Sequence, residues 1–111
     1  MVTRFAQGDI IYLDFDPQSG HEQRGRRPAL VVSSGTFNRF SSMTMVCPIT
    51  HTDKNHPFHL RLDSRTSTDG VILCDQVRML DATSRRGSFL ERAPDDITAE
   101  AVDIIIGFLE R

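Results

Sequence analysis

Between Ile10 and Phe15 the chain alternates, with Ile11, Leu13 and Phe15 on one side and Ile10, Tyr12 and Asp14 on the other. A period of two sends successive side chains to opposite faces of a strand. The pattern predicts a strand that begins after Gly8-Asp9 and stops at Asp16-Pro17, because proline brings no donor to a ladder. From Pro17 to Arg27 there is no apolar anchor, and this stretch reads as a long exposed loop. ALVVS, positions 29 to 33, then predicts a short buried strand, Gly35 to Arg39 a turn or a single helical turn, and MTMVCPI, positions 43 to 49, a further strand ending around Pro48 and Thr50. A polar loop from His51 to Pro57 precedes a second alternation at Phe58, Leu60 and Leu62. After the Asp69-Gly70 turn, VILCDQVRML, positions 71 to 80, reads as one continuous strand. A basic segment around Arg85-Arg86-Gly87 follows. Pro94-Asp95-Asp96 then opens a helix with carboxylates at its positive end, and Ile97, Ala101, Ile104, Ile105 and Phe108 recur at helical spacing, a stripe expected to cover the sheet. The expected fold is mainly β, a small barrel with a C-terminal α-helix, and the same pattern assigns Phe5, Tyr12, Phe15, Phe37, Phe40, Phe58, Phe89 and Phe108 mostly to its core.

Composition narrows this without changing it. With 111 residues, 39% hydrophobic and 25% charged, the chain fits one domain over positions 1 to 111. A core of this size is marginal, so association through an apolar face would help it. No apolar run approaches a membrane span, and MVTRFAQGD moves straight into charge rather than resembling a signal peptide. A cytoplasmic protein with Cys47 and Cys74 reduced is expected. The net charge of -2 argues against bulk nucleic-acid binding, yet the charge is uneven. Positions 20 to 50 carry Arg24, Arg26, Arg27 and Arg39 against Glu22, whereas positions 93 to 111 carry Asp95, Asp96, Glu100, Asp103 and Glu110 against Arg111.

The arginines of HEQRGRRPAL, positions 21 to 30, are either a solvated basic loop or a clamp for phosphate oxygens, which guanidinium forks match. Two details favour the clamp. Arg27 precedes Pro28, which holds its backbone extended, and Gly25 lets the loop double back so that His21 and Glu22 approach the same place. Glu22 would supply an acid or base, and His21 a group titrating near neutrality. Asp14 and Asp16 are read as turn residues. Thr50, at a strand end, is read as a cap before a ligand contact. Cys47, His51, His56, His59 and Cys74 show neither Cys-x-x-Cys nor His-x3-His spacing and fit no closed zinc pattern, so no metal or other cofactor is expected.

GDIIYLDFDPQSGHEQRGRRPALVVS, then Phe37-Asn38, VCPIT at 46 to 50 and CDQVRMLD at 74 to 81, resemble the MazF/PemK family of toxin endoribonucleases in order and spacing along nearly the whole chain. The resemblance implies a small SH3-like barrel of the plasmid-toxin (MazF/PemK/CcdB) type. It also implies a homodimer that cuts single-stranded mRNA at short sequences without metal, held inactive by an antitoxin with an acidic, flexible tail. Carried over position by position, it makes Arg27 and Thr50 the positions most often used for catalysis, with Glu22, His21 and Asp75 used in some members. Arg24, Arg26, Gln23, Asn38 and Arg78 are expected to contact RNA. One departure is Leu73, where PemK-like members can place a catalytic arginine two residues before the aspartate of the CDQ stretch. The implied reaction is attack of the ribose 2′-oxygen on the neighbouring phosphate, giving a 2′,3′-cyclic phosphate and a 5′-hydroxyl. Two rival readings are a gyrase-binding toxin of CcdB type, which relies on a tryptophan near its C-terminus that this chain lacks, and a catalytically silent RNA-binding relative.

Overall fold

A computed structural model describes residues 5–15 and 25–110. The expected positions of Asp16, His21, Glu22, Gln23 and Arg24 lie outside the described residues. The chain runs β1 (Asp9–Asp14), β2 (Arg26–Val31), α1 (Gly35–Phe40), β3 (Thr44–Thr50), β4 (His59–Arg61), β5 (Val71–Leu73), a 3-10 turn (Cys74–Gln76), β6 (Arg78–Leu80), β7 (Ser88–Arg92) and α2 (Asp95–Leu109). The strands form one sheet in the order β4-β5-β3-β2-β1-β7, with β6 also paired to β3. These strand pairs are antiparallel. Among the described residues no helix is long and apolar enough to cross a membrane.

Both faces of the central strands are covered. Ile10, Leu30, Cys47, Ile49 and Ile72 pack with Ala93, Ile97 and Ala101, so α2 covers one face as its periodicity predicts. Ile11, Leu13, Phe15, Ala29, Val31 and Val46 pack on the other face under Leu80 and Ala82. Double burial explains why these strands read as near-continuous apolar runs. The ends of α2 follow from its sequence: Asp95 and Asp96 occupy the first turn, and Thr98 Oγ1 donates to the Pro94 carbonyl at 3.2 Å.

Three expectations are corrected and one strand is added. β2 starts at Arg26, so Arg26 and Arg27 belong to a strand, opposite Asp14 and Leu13. Pro28, opposite Tyr12, does not end it. The stretch 71 to 80 is two strands on the same neighbour, because the polar pair Asp75-Gln76 is lifted out of the ladder in a 3-10 turn while Cys74 stays buried. Residues 88–92, which follow the basic segment around Arg85-Arg86-Gly87 and carry no strand pattern in the sequence, form β7, whose Phe89 and Leu90 are exposed and so give no buried alternation. Of the aromatics only Phe15 is fully buried, whereas Phe40 is 81% exposed and Phe37, Phe58, Phe89 and Phe108 are all exposed. Phe37 and Phe40 lie on α1, Phe108 on α2 and Phe89 on β7, and a periodic pattern tells which side of an element a ring takes, not whether anything covers that side.

Charged side chains tie the surface together. Arg65 bridges Asp63 and Asp96, and its hydrogen bonds hold the Asp63 carboxyl down at about 2. Glu91 accepts the backbone N–H groups of Ser67 and Thr68 at 3.0 and 2.6 Å, fixing the loop that leads into the Asp69-Gly70 turn.

Candidate active site

The arginine strand and the threonine strand meet because β2 is sandwiched between β1 and β3, with Ala29 opposite Pro48. Arg26, Arg27, Tyr12, Thr50, His51 and Asp69 line one cavity of about 370 Å3. Within it Arg26 is engaged by the protein itself. Its guanidinium lies 4.7 Å over the Tyr12 ring, stands 3.6 Å from Asp14 Oδ1 and donates to the Arg86 carbonyl at 2.8 Å. Asp14 is not a turn residue. Hydrogen bonds from Arg86, supported by its charge and that of Arg26, hold its carboxyl below the usual carboxylate range, so it stays ionised as a structural counter-charge. Arg27 follows directly on this braced position.

Thr50 ends β3, pairs with Val71, and accepts the Thr52 N–H at 3.3 Å, so the capping role expected of it is real. It also walls a second cavity of about 280 Å3, shared with Lys54, His56, His59, Asp75 and Gln76. One hydroxyl-bearing residue thus joins the arginine side to the Asp75 side. Its position depends on Gly70, which has φ +123° and whose missing Cβ would collide with the Thr50 carbonyl. Gly70→Ala is expected to destabilise the fold by more than about 1 kcal/mol and to lower activity through displaced Thr50. A urea midpoint and a cleavage rate, both unchanged, would refute this.

Asp75 sits in the 3-10 turn with its carboxylate about one-third exposed, and Oδ1 is 3.0 Å from Nε2 of His59, whose side chain is only 10% exposed. His59 reaches it from β4, opposite Leu73 in register. The sequence offered a signal for this histidine: the Phe58-Leu60-Leu62 alternation puts His59 and Arg61 on the other side of that strand. Arg61 there clamps the preceding loop through Asp53 and Asn55. His51 and Asp69, 2.8 Å apart and both exposed, form a rim pair that sequence reasoning also missed, because 18 positions separate them.

Asn38 is withdrawn as an RNA contact. It is 1% exposed, and its amide donates to the carbonyls of Phe5 and Ser33 at 2.7 and 3.2 Å while its oxygen accepts from the Ser33 hydroxyl. It locks α1 to the chain before β1. Arg78 lies on β6 with its guanidinium 5.8 Å from the Phe15 ring, at the edge of the second core cluster. Cys47 and Cys74 are free and buried, and their mutual hydrogen bond together with burial pushes the Cys47 thiol up, away from nucleophilic thiolate chemistry.

The doubly covered antiparallel sheet with its C-terminal helix, and Thr50 standing between the cavity of Arg26 and Arg27 and the cavity of Asp75, define a small, mainly β domain with two adjoining polar cavities. The chain belongs to the PemK-like, MazF-like toxins of type II toxin-antitoxin systems, whose family model matches residues 6–109. It is 36% identical over 113 residues to the endoribonuclease toxin MazF of Escherichia coli K12, covering 96% of this chain and all of the relative. It is 38% identical over 100 residues to the endoribonuclease PemK of Escherichia coli, covering 86% of this chain and 75% of the relative. The crystal structure of MazF from Deinococcus radiodurans superposes with a TM-score of 0.90 at 39% identity, covering 96% of this chain and 97% of that one. The MazE-MazF complex of the same organism gives a TM-score of 0.84 at 39% identity, covering 96% of each chain.

Proposed function

We propose that this chain is the toxin of its pair and acts as an endoribonuclease on single-stranded mRNA, through attack of the ribose 2′-oxygen on the adjacent phosphate. The observation that carries the reading is that Arg27 and Thr50, twenty-three positions apart, line one cavity, and that Thr50 also walls the cavity of Asp75. RNA holds its own nucleophile next to the phosphate, so the protein needs only to stabilise the extra negative charge and move two protons. In this reading Arg27 stabilises the phosphorane and protonates the leaving 5′-oxygen, and Thr50 holds a phosphate oxygen. A carboxylate or imidazole takes the 2′-proton, because arginine is too strong a base in its neutral form to be poised for the task. Glu22 is the preferred base, with His21 and Asp75 as contenders. Of the three, Asp75 is the one with a described setting: the nearly buried His59 beside it fixes the direction of its carboxylate. Arg24, Gln23, Arg26 and Arg78 are assigned to binding RNA.

Incubation with mixed-sequence single-stranded RNA in EDTA tests the reading. Cuts at short recurring sequences with a cyclic or 3′-terminal phosphate opposite a 5′-hydroxyl are expected. Intact RNA would favour a gyrase-binding or silent relative of the same fold.

The toxin is further proposed to be a cytoplasmic homodimer bound by an antitoxin, as the MazE-MazF complexes of relatives suggest. Exposed Phe40, Phe89, Leu90 and Leu109 supply apolar surface for association. The antitoxin's acidic tail would place carboxylates where phosphates bind, at Arg24, Arg26 and Arg27. Light scattering at micromolar concentration showing only monomer would count against the dimer, and antitoxin affinity unchanged by charge reversal at those arginines would count against the tail.

A further inference from the structure

The cavity beyond Thr50 gathers a donor set that linear spacing hides. His56, His59 and Asp75 each offer one ligand atom, and these atoms lie within 4.8 Å of one another. His59 Nε2 and Asp75 Oδ1 are 3.0 Å apart, close to the roughly 3.3 Å that separates two donors of a tetrahedral ion with bonds of about 2.0–2.1 Å. The fold fixes both: His59 stands on β4 with its side chain nine-tenths buried, and Asp75 is set by the 3-10 turn. His56 belongs to an exposed segment, its ring stacked on that of His59 at 4.6 Å between centroids. A shift of roughly 1.5 Å by this third ligand closes the triangle.

We propose that His56, His59 and Asp75 form a weak, exchangeable site for a zinc-class divalent ion, and that its occupation inhibits the toxin. Two imidazoles and one carboxylate suit zinc, and the fourth position opens into the cavity. Coordination through Nε2 leaves the neutral His59 ring with its proton on Nδ1. Nδ1 is buried and has no hydrogen-bond partner among the described residues, so the outer-shell acceptor that normally supports a ligating histidine is absent there. His56 must also give up the bond in which its Nδ1 accepts the Phe58 N–H at 3.1 Å. A missing outer-shell partner alone commonly lowers metal affinity about 10- to 100-fold, which makes the site weak. The inhibitory consequence rests on the proposed role of Asp75 and Thr50 in cleavage. The binding of the ion does not.

The test takes the full chain, treated with EDTA and freed of chelator, and titrates it with Co2+ by absorption and with Zn2+ by calorimetry. One ion per chain is expected, with a four-coordinate cobalt spectrum that Zn2+ erases. His56→Ala, on the exposed segment, and His59→Gln should each weaken binding at least about tenfold. RNA cleavage should fall over the same Zn2+ range and recover with EDTA, whereas the cleavage that His56→Ala retains, compared with and without the ion, should show no zinc sensitivity over that range. No saturable binding up to about 1 mM, or binding unaltered in both variants, overturns the site. Normal zinc binding with undiminished cleavage overturns the inhibition alone. A protein that cuts no RNA but shows the cobalt spectrum, lost in the variants, would sink the ribonuclease reading and keep the site.

Discussion

A single deoxyribose placed immediately 5′ of the scissile phosphate is expected to abolish cleavage while leaving binding nearly intact. The described part of the groove contributes Arg27 and Thr50 on one side and Asp75 on the other, groups suited to charge stabilisation and proton transfer rather than to covalent attack. Both cysteines are buried away from the groove surface. The substrate's own 2′-hydroxyl is already adjacent to the phosphorus, an arrangement that replaces a bimolecular encounter by an intramolecular step. Its removal deletes the nucleophile and only one small polar contact. Product ends and binding of the substituted RNA, measured together, check this. Cleavage at the normal rate, or a 5′-phosphate on the downstream product, would mean that external water is the nucleophile. EDTA is expected to leave the rate unchanged. A fall with EDTA would instead draw an ion at His56, His59 and Asp75 into the reaction.

Arg27→Ala is expected to reduce the cleavage rate by on the order of a hundredfold or more, roughly 2.7 kcal/mol of transition-state stabilisation, with a much smaller change in RNA affinity. A preorganised donor at the developing charge acts mostly in the transition state, so its loss appears in kcat rather than KM. Arg27→Lys should recover only part of the rate, because an ammonium keeps the charge but not the planar fork. Arg26→Ala makes the contrast. Its guanidinium is held by Tyr12, Asp14 and the Arg86 carbonyl, so the variant should weaken binding, flatten its salt dependence and lower the melting temperature, with a lesser effect on turnover. Equal losses of turnover from both substitutions would show that the two roles are wrongly divided.

Local chemistry made much of this legible in the sequence. The family resemblance paired Arg27 with Thr50; the alternation at 10–15 gave β1, the Pro-Asp-Asp start and apolar stripe gave α2 and the face it covers, and Pro28 gave the extended backbone at Arg27. These are decided within a few positions, by steric preference, helix polarity and side-chain period. What the sequence left open depends on partners far along the chain. VILCDQVRML has the composition of one strand, but β3 pairs with β5 and with β6 across an interruption, and that interruption is what presents Asp75. Asn38 carries the same amide whether it faces RNA or the core, and only packing against Phe5 and Ser33 buries it. Arg26 and Asp14 become a structural tie because β1, β2 and the turn at 81–87 converge. His56, His59 and Asp75 match no ligand spacing, since a sheet can bring donors together across 16 positions that a motif search reads as unrelated. Periodicity and turn chemistry are properties of neighbours in the chain, whereas burial, ion pairing and ligand geometry belong to neighbours in space, and only the folded sheet sets those.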